Sequence, residues 1–330
     1  MVAYIGRRLL QFLPTFVGVS LITFVLLKIA PGDPTALRSE NLLANVSQES
    51  LAQWQHLKGL DQPLLVQYLR WLWSFVTFDF GRSLVDEQPV RLLIAQALPR
   101  TLLLTSLAML STYAIAIPLG VHSAVHRGSR VDRVLSTTLF VLHAVPAFWV
   151  ALVLLVLLGG GELWHLMPIR GLASDGMEDA PLAARGLDLA WHLVLPVFCL
   201  TFPALARTSR YQRGAMLDVL RQNYVRAARA RGLSERRVIW GHAWRNALVP
   251  MLSLLSVDLP WLLGGSVIIE RVFTIRGMGM LTFEAILRRD YPVIMGVTAL
   301  VAVSTMLGIL VGDLAVAWAD PRVRCDRSEA

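Results

Sequence analysis

Six apolar runs divide this chain of 330 residues, and they limit its possible folds more than any other feature. The runs are Leu9–Ala30, Leu102–Val121, Val134–Leu158, Leu189–Ala206, Ala247–Ile269 and Val293–Val311. A helix of about 20 apolar residues crosses the roughly 30 Å hydrocarbon layer of a membrane. The mean hydropathy of +0.56 agrees with repeated insertion. The pattern therefore predicts an all-α protein that crosses a membrane several times, since a helix satisfies its own backbone there.

The fourth run decides how many crossings are expected. Leu189–Ala206 is short and is interrupted by His192, Pro196 and Pro203, which makes it the weakest of the six. A proline inside a helix removes one hydrogen bond and its ring clashes with the carbonyl four residues earlier. Without this run the chain would cross five times, and its C-terminus would lie on the opposite side of the membrane.

The charges of the short loops favour six crossings, because cytoplasmic loops carry an excess of Arg and Lys. His122–Arg133 has three arginines and one aspartate, and residues 207–245 have ten arginines and two acids, so both are expected in the cytoplasm. Gly159–Asp188 has five acids and two arginines and is expected outside. Six spans with cytoplasmic N- and C-termini satisfy these loops, and they place the arginine-containing tail Asp320–Ala330 inside.

The same distribution accounts for the formal net charge of +8. A basic chain is often a nucleic-acid binder, with its Lys and Arg clustered on one surface. Here the basic residues follow the loop topology, and no stretch outside residues 207–245 interleaves them with aromatic residues. We therefore expect contact with membrane lipid and no nucleic-acid partner.

Three regions follow one another along the chain. Residues 1–30 hold the N-terminus and a first span, which is expected to be retained because its apolar run exceeds a signal-peptide core and lacks a small-x-small cleavage pattern. Residues 31–100 form an extracytoplasmic segment, and residues 101–330 form the core with five further spans. Within the extracytoplasmic segment, Leu64–Phe78 repeats apolar and aromatic residues at helical spacing. This pattern favours either an interfacial helix on the outer leaflet or a small packed loop domain.

The segment Asn223–Pro250 is a polar, arginine-rich interruption between two apolar runs. It predicts a helix, a break and a second helix. Gly232 is placed to end the first helix, because glycine enters the left-handed conformation without a steric penalty. Ser234 is placed to cap the second helix, and Glu235 lies in its first turn. The second helix carries apolar and basic residues together, namely Val238, Ile239 and Trp240 beside Arg236, Arg237 and His242. An amphipathic helix held out from a membrane domain needs a partner surface.

Asp258 lies near the middle of the fifth run. A mid-span aspartate costs about 2.5–3.5 kcal/mol on insertion scales, and each Leu, Ile, Val or Phe returns about 0.3–0.6 kcal/mol, so this helix still inserts. The carboxylate is expected either to face a bundle interior or aqueous path, with Trp261 and Ser256 nearby, or to pair with a neighbouring helix. For His143 and His192 a hydrogen bond between helices is expected in preference to a role in the path.

Motifs for catalysis and cofactor binding are missing from the sequence. It has no G-x-x-x-x-G-K-[ST] phosphate loop, no H-E-x-x-H and no G-x-S-x-G. The two cysteines, Cys199 and Cys325, are too few for a metal site built on soft ligands. We therefore expect no enzyme activity, metal or cofactor in this chain. Uphill transport would then draw its energy from a partner or from an ion gradient.

Many short segments, in order along the chain, resemble the dipeptide/oligopeptide (and nickel) permease family of ATP-binding-cassette (ABC) importers. In the central loop these are YVRAARARGLSERRV (Tyr224–Val238) and HAWRNALVP (His242–Pro250). Elsewhere they are APGDP (Ala30–Pro34), GLDQPLLVQYLRWL (Gly59–Leu72), FGRS (Phe80–Ser83), LPRTLLL (Leu98–Leu104), VPAFW (Val145–Trp149), LLGGSVIIERVF (Leu262–Phe273), RDYPV (Arg289–Val293) and DPRVR (Asp320–Arg324).

The resemblance implies the transmembrane domain of a type I ABC importer, with the EAA coupling loop at about 207–246. Its coupling helix would fall on about Leu233–His242 and dock on a cytoplasmic ATPase subunit. The residues implied in this coupling are Arg226, Ala227, Ala228, Gly232, Leu233, Ser234, Glu235, Arg236, Arg237, Val238 and His242. The sequence departs from the general EAA motif, because Arg226 replaces its leading Glu and the closing Ile-x-Leu-Pro is lost.

The resemblance also implies partners and a location. The partners are a homologous but non-identical permease, two ATPase subunits that bind ATP and Mg, and an extracytoplasmic binding protein, at a bacterial or archaeal cytoplasmic membrane. Short peptides are the expected substrate, although related members carry nickel, glutathione or oligosaccharides. Asp258 and Trp261 are not implied by the family pattern and stay candidates for the translocation path on local grounds. The alternative is a secondary transporter that uses Asp258 as a proton or ion site without an ATPase.

Overall fold

The computed structural model describes residues 2–29, 56, 61–159 and 166–319. Ala30–Pro34, the tail Asp320–Ala330 and Cys325 lie outside the described residues. The described part is mainly helical, and an isolated antiparallel bridge joins Arg82 to Pro89. Its longer helices are α1 (Val2–Ile29), α2 (Leu64–Val76), α3 (Val90–Val125), α4 (Arg130–Ala144), α5 (Ala147–Leu158), α6 (Leu182–Leu220), α7 (Asn223–Ala230), α8 (Trp244–Asp258), α9 (Met278–Leu287) and α10 (Tyr291–Ala319).

Among the described residues, five helical runs are long and apolar enough to cross a membrane, and a bent pair of helices brings the number to six when it is counted as one span. The five are Ile5–Ile29, Val90–Val125, Leu182–Leu220, Glu235–Val272 and Tyr291–Trp318. The bent pair is α4 with α5, which meet at 88°. This pair contains the run Val134–Leu158, which the sequence predicts as one span, and the span is broken near its middle. Pro146 has no N–H to continue the helix, and Val145 before it takes an extended conformation with ψ of 125°, as residues before proline prefer.

The fourth run, predicted as the weakest, lies inside a continuous helix of 39 residues, α6. Pro196 and Pro203 lie inside this helix without ending it. Neighbouring helices make this possible, because α6 buries Leu193, Cys199 and Phe202 against them, and this burial outweighs the lost backbone bonds. The run is therefore one of the best-packed spans.

The chain divides into two compact units. The first unit comprises Met1–Thr101 and Arg276–Met306. Its core packs Val90 and Ile94 of α3 against Met278 of α9 and Val293 of α10. The second unit comprises Leu102–Ile275 and Leu307–Ala330. Its main core packs Leu104, Leu193 and Phe273 together.

In the first unit, the helix predicted from Leu64–Phe78 is present as α2, and it packs along α1. The hydroxyls of Ser20 and Tyr68 are 2.9 Å apart, and the Nζ of Lys28 donates to Gln67 at 2.6 Å. Phe24 meets the edge of Tyr68 at a centroid distance of 5.5 Å. These contacts join one face of α2 to the first span, and the choice between an interfacial helix and a packed loop domain stays a prediction. The opposite face of α2 stays exposed, with Leu65, Leu69 and Trp73.

A buried carboxylate, that of Asp290, ties the loop before α3 to the start of α10. The hydroxyl of Ser83 donates a short hydrogen bond to Asp290 Oδ2, and the Leu84 N–H donates to Oδ1 at 3.1 Å. Both Ser83 and Asp290 are buried. Burial raises the pKa of the Asp290 carboxyl above its usual value, and the hydrogen bonds oppose this.

In the second unit, two glycines one helical turn apart let α10 approach the end of α8 closely. A Cβ on Gly308 would lie 3.1 Å from the Cβ of Leu259, and one on Gly312 would lie 1.7 Å from the Cβ of Ser256. The spacing is the small-xxx-small pattern that allows membrane helices to meet backbone to backbone. The close contact fixes the position of the helix end that carries Asp258.

Candidate coupling segment and charged cavity

The central loop bends at Gly232, as predicted, and we call residues 223–238, which form this bend, the elbow. Helix α7 ends at Ala230, and Gly232 follows with φ of +77°, the left-handed conformation that favours glycine. The Gly232 N–H donates to the Arg229 carbonyl at 2.9 Å. Across the bend, the Arg229 guanidinium binds both oxygens of Glu235, at 2.7 and 3.1 Å. Glu235 therefore stabilises the bend through an ion pair as well as lying in the first turn of the next helix.

The second helix differs from the prediction in two ways. Ser234 makes no side-chain cap bond; its carbonyl instead accepts from the N–H groups of Arg237 and Val238, at 2.9 and 3.0 Å. The helix is also not a separate short piece. Residues Glu235–Arg237 continue through a π-helical stretch, Val238–Ala243, directly into α8. A π stretch inserts an extra residue into the helical turn, and such bulges are common at functional sites.

The elbow has a small apolar core. Val225, Ala228 and Val238 are fully buried there, and Leu233 packs against them. Val219 and Leu220, the last two residues of α6, close the same cluster. The elbow is thus joined to α6 by side-chain packing as well as by the chain.

The predicted coupling residues divide between this core and the surface. Ala228 and Val238 are buried, and Leu233 and His242 are half-buried. The exposed ones are Arg226, Ala227, Gly232, Ser234, Glu235, Arg236 and Arg237. The buried ones hold the elbow in shape, and the exposed ones leave a surface on which Arg226, Arg236 and Arg237 present positive charge. Their role in coupling stays a prediction.

Asp258 and Trp261, the two path candidates, line the same cavity of about 350 Å³ in the second unit. Asp258 Oδ1 lies 2.7 Å from Arg207 Nη2 on α6, and the Tyr113 hydroxyl on α3 donates to Oδ2 at 2.9 Å. The carboxylate of Asp258 thus pairs with a neighbouring helix, as one alternative predicted, and it also faces the cavity, whereas its role in a translocation path stays a prediction. Ser256, expected beside it, lies instead against Gly312.

Arg207 and Tyr113 are site residues that the sequence did not single out. Arg207 directly follows the fourth apolar run, so the sequence alone places it among the arginines of the cytoplasmic loop. The continuation of α6 through the loop boundary places it at the cavity instead, on a helix that is packed in the second unit. An arginine adjoining an apolar run, with an aspartate in another run, is the signal that would have suggested the pair.

His143 and His192 differ in the hydrogen bonds that their rings form. His143 lines the cavity, and its Nδ1 lies 3.2 Å from the Pro203 carbonyl on α6, which is the expected bond between helices. His192 Nδ1 lies 2.8 Å from the carbonyl of Asp188, one turn earlier in its own helix. The expected interhelical bond of His192 is therefore wrong. No group of three His, Cys, Asp or Glu side chains within the described ranges is arranged to hold a metal ion.

Comparison with known protein families gives two matches that together cover most of the chain. Residues 116–325 match the family described as binding-protein-dependent transport system inner membrane component. Residues 1–105 match the N-terminal family of the same membrane components.

Curated relatives match over nearly their full length. The chain is 39% identical over 324 residues to the oligopeptide transport system permease protein AppB of Bacillus subtilis (strain 168), covering 98% of this chain and 99% of AppB. It is 34% identical over 340 residues to the dipeptide transport system permease protein DppB of Escherichia coli (strain K12), covering 98% and 99%.

A solved structure shares the fold. The MetNI methionine ABC transporter, in an inward-facing conformation, matches with a TM-score of 0.53 at 18% identity, over 70% of this chain and 97% of the other. The helical fold over this part of the chain is thus one found in an ABC transporter. These comparisons give no support to the ion-coupled alternative. The chain belongs to the family of binding-protein-dependent transport system inner membrane components, and it is a membrane-embedded permease subunit of the ABC-importer type.

Proposed function

We propose that this chain forms half of the translocation path of an ATP-driven importer of short peptides, and that its elbow receives the motion of a cytoplasmic ATPase. The substrate class follows the names of the relatives, which include oligopeptide, dipeptide and di/tripeptide transport permeases. The remaining components are a second, non-identical permease, two ATPase subunits with bound ATP and Mg, and an extracytoplasmic binding protein. The chain itself catalyses nothing in this proposal.

The elbow is the observation that carries the proposal. A partner that pushes on the exposed face of Ser234–Arg237 acts on a segment whose core includes the end of α6. Helix α6 then runs without a break from Leu220 to Arg207 in the cavity, thirteen residues away, which is about 20 Å of helix. The same segment continues without a gap through the π stretch into α8, which ends at Asp258. Asp258 is therefore joined to Ser234–Arg237 by continuous helix, and Arg207 is joined to it through α6 and the apolar core of the elbow.

Reconstituted transport tests the proposal. The full complex, with its binding protein, is placed in proteoliposomes, and uptake of radiolabelled dialanine is measured with ATP inside or with a proton gradient alone. We expect uptake only with ATP. We also expect Arg236→Glu/Arg237→Glu to lower it by about tenfold or more, since reversing charges at a docking surface weakens association. Arg127→Glu, in another exposed cytoplasmic loop, is the matched control and should leave uptake unchanged. Uptake driven by the gradient without nucleotide would overturn the proposal.

A further inference from the structure

The fifth span is broken at the level of the cavity. Helix α8 ends at Asp258, a single turn Trp261–Gly264 follows, and Gly265 has φ of +69° before helix resumes at Val267. Irregular backbone inside a span is tolerated where it is buried in protein or lines a cavity, because its polar groups otherwise lack partners. Here the Leu262 carbonyl accepts from the Thr105 hydroxyl at 2.9 Å, and Leu262 and Gly265 line the cavity. Broken spans of this kind form the substrate sites of many transporters.

The cavity presents one charge of each sign beside the break. Arg207 and Asp258 approach to 2.7 Å, and Tyr113 fixes the second carboxylate oxygen. The side chains are 49% and 13% exposed, respectively, so a ligand in the cavity reaches the guanidinium freely and the carboxylate in part. Much of the remaining lining is apolar, as with Ala108, Met109 and Leu200.

This pairing selects among ligands by their charge. A ligand with a single charge binds one member and leaves the other without a partner in a partly desolvated site, which is costly. A zwitterionic ligand replaces the ion pair between Arg207 and Asp258 by two ion pairs, one from each side chain to the ligand, so no charge is left unpaired. The volume of about 350 Å³ is within the range of small-molecule pockets. The termini of an extended dipeptide are roughly 7 Å apart, a span that the long Arg207 side chain can accommodate by changing rotamer.

We propose that Arg207 and Asp258 form a transient site for the two charged termini of a short peptide. The Asp258 carboxylate accepts hydrogen bonds from the N-terminal ammonium, and the Arg207 guanidinium donates to the C-terminal carboxylate. The Tyr113 hydroxyl holds Asp258 in place for this exchange. In the empty cavity the two side chains neutralise each other, which disfavours the binding of a lone ion. The inference rests on the proposed function, since it requires that peptides enter this cavity.

A measurement of peptide binding to the full transporter complex tests the site directly, even where the binding is weak. The complex in nanodiscs, without its binding protein, is mixed with dialanine, N-acetyl-dialanine or dialanine amide, and binding is followed by saturation-transfer NMR. For the native complex we expect dialanine to bind about tenfold or more tightly than either blocked peptide, because each loses one charged contact. Asp258→Asn should abolish only the preference for a free amino terminus and should keep the preference for a free carboxylate. Arg207→Gln should abolish only the preference for a free carboxylate and should keep the preference for a free amino terminus.

Two further variants make the result decisive. Arg210→Gln, one turn further along α6 and outside the cavity lining, should keep both preferences. Arg207→Gln/Asp258→Asn leaves no unpaired charge, so it should fold even if a single variant does not, and it should show neither preference. Retained preferences in the double variant would overturn the inference. In that case ATP-driven uptake of dialanine by the same complex would leave the proposed function standing, whereas absence of any ATP-driven peptide uptake would refute the proposed function itself.

Discussion

Arg213 of α6 binds both carboxylate oxygens of Asp132 in α4, with Nε 3.1 Å from Oδ1 and Nη2 2.9 Å from Oδ2. Asp132 is only 4% exposed, and it also accepts hydrogen bonds from the Ser123 hydroxyl and the Gly128 N–H. The pair joins α6 to the first turn of α4, and Arg213 lies along α6 between the elbow and Arg207 in the cavity. It braces the part of α6 that we expect to carry motion from one to the other.

Removing the arginine should destabilise the protein substantially. Arg213→Ala leaves a buried carboxylate without its charged partner, and breaking such pairs costs about 3 kcal/mol or more. Thermal unfolding of the detergent-purified protein, followed by tryptophan fluorescence, should show a clear drop in the midpoint. Arg210→Ala removes an exposed arginine from the same helix and should change stability by less than about 0.5 kcal/mol. Equal midpoints for the two variants would contradict the bracing role.

The contact between Gly312 and Ser256 should not tolerate a methyl group. Gly312→Ala places a Cβ 1.7 Å from that of Ser256, so α8 and α10 must separate, at a cost of about 1–3 kcal/mol or more. Gly18→Ala, at a helical glycine with open space around it, should be neutral or slightly stabilising. The measurement is the yield of monodisperse protein and its melting temperature. Adding Ser256→Gly to Gly312→Ala should restore part of the loss, and failure of this rescue would mean that the contact is not the cause.

Gly232 should be replaceable by asparagine more readily than by alanine. A Cβ at this position meets nothing within 4 Å, so the cost of substitution comes from the left-handed backbone alone. That cost is about 1–2 kcal/mol for ordinary residues and smaller for Asn. Hydrogen exchange of the elbow amides should therefore rise in Gly232→Ala and rise less in Gly232→Asn. Exchange that is the same in both variants as in the native chain would show that the bend does not depend on this conformation.

The Asp290 carboxyl predicts a specific pH dependence. Burial raises its pKa in the folded state, so the folded protein binds this proton more tightly than the unfolded chain does. The resulting stability is fully present below the unfolded pKa of about 3.9 and is lost as pH rises through the folded pKa. Asp290→Asn removes this titration and keeps an oxygen for the Leu84 N–H. From pH 4 to 7 the melting temperature of the native chain should fall relative to the variant. A difference in melting temperature between the two proteins that does not change with pH, or that changes in the opposite direction, would contradict this account.

The sequence predicted the features that depend on local pattern. Apolar runs of the right length gave the spans, and Gly232 ended α7 because its conformational freedom is intrinsic to the residue. Features that depend on packing were not predictable in the same way. Pro146 breaks the third span, yet Pro196 and Pro203 do not break the fourth, because the neighbours of α6 decide the outcome. The partner of Asp258 was missed because Arg207 is 51 residues away and was assigned to a loop.

The central claim is that the elbow docks on a separate ATP-hydrolysing protein, and a crosslink from Ser234 or Arg237 tests it most directly. Cys199 and Cys325 are first replaced, and a single cysteine is then introduced as Ser234→Cys or Arg237→Cys. A short bifunctional crosslinking reagent is attached to this cysteine in cells that are importing a labelled dipeptide. Arg127→Cys, exposed in another cytoplasmic loop, serves as the control. We expect the two elbow positions to capture an ATPase subunit, with a yield that changes when ATP is depleted. Import that continues while neither elbow position captures such a subunit would contradict the account.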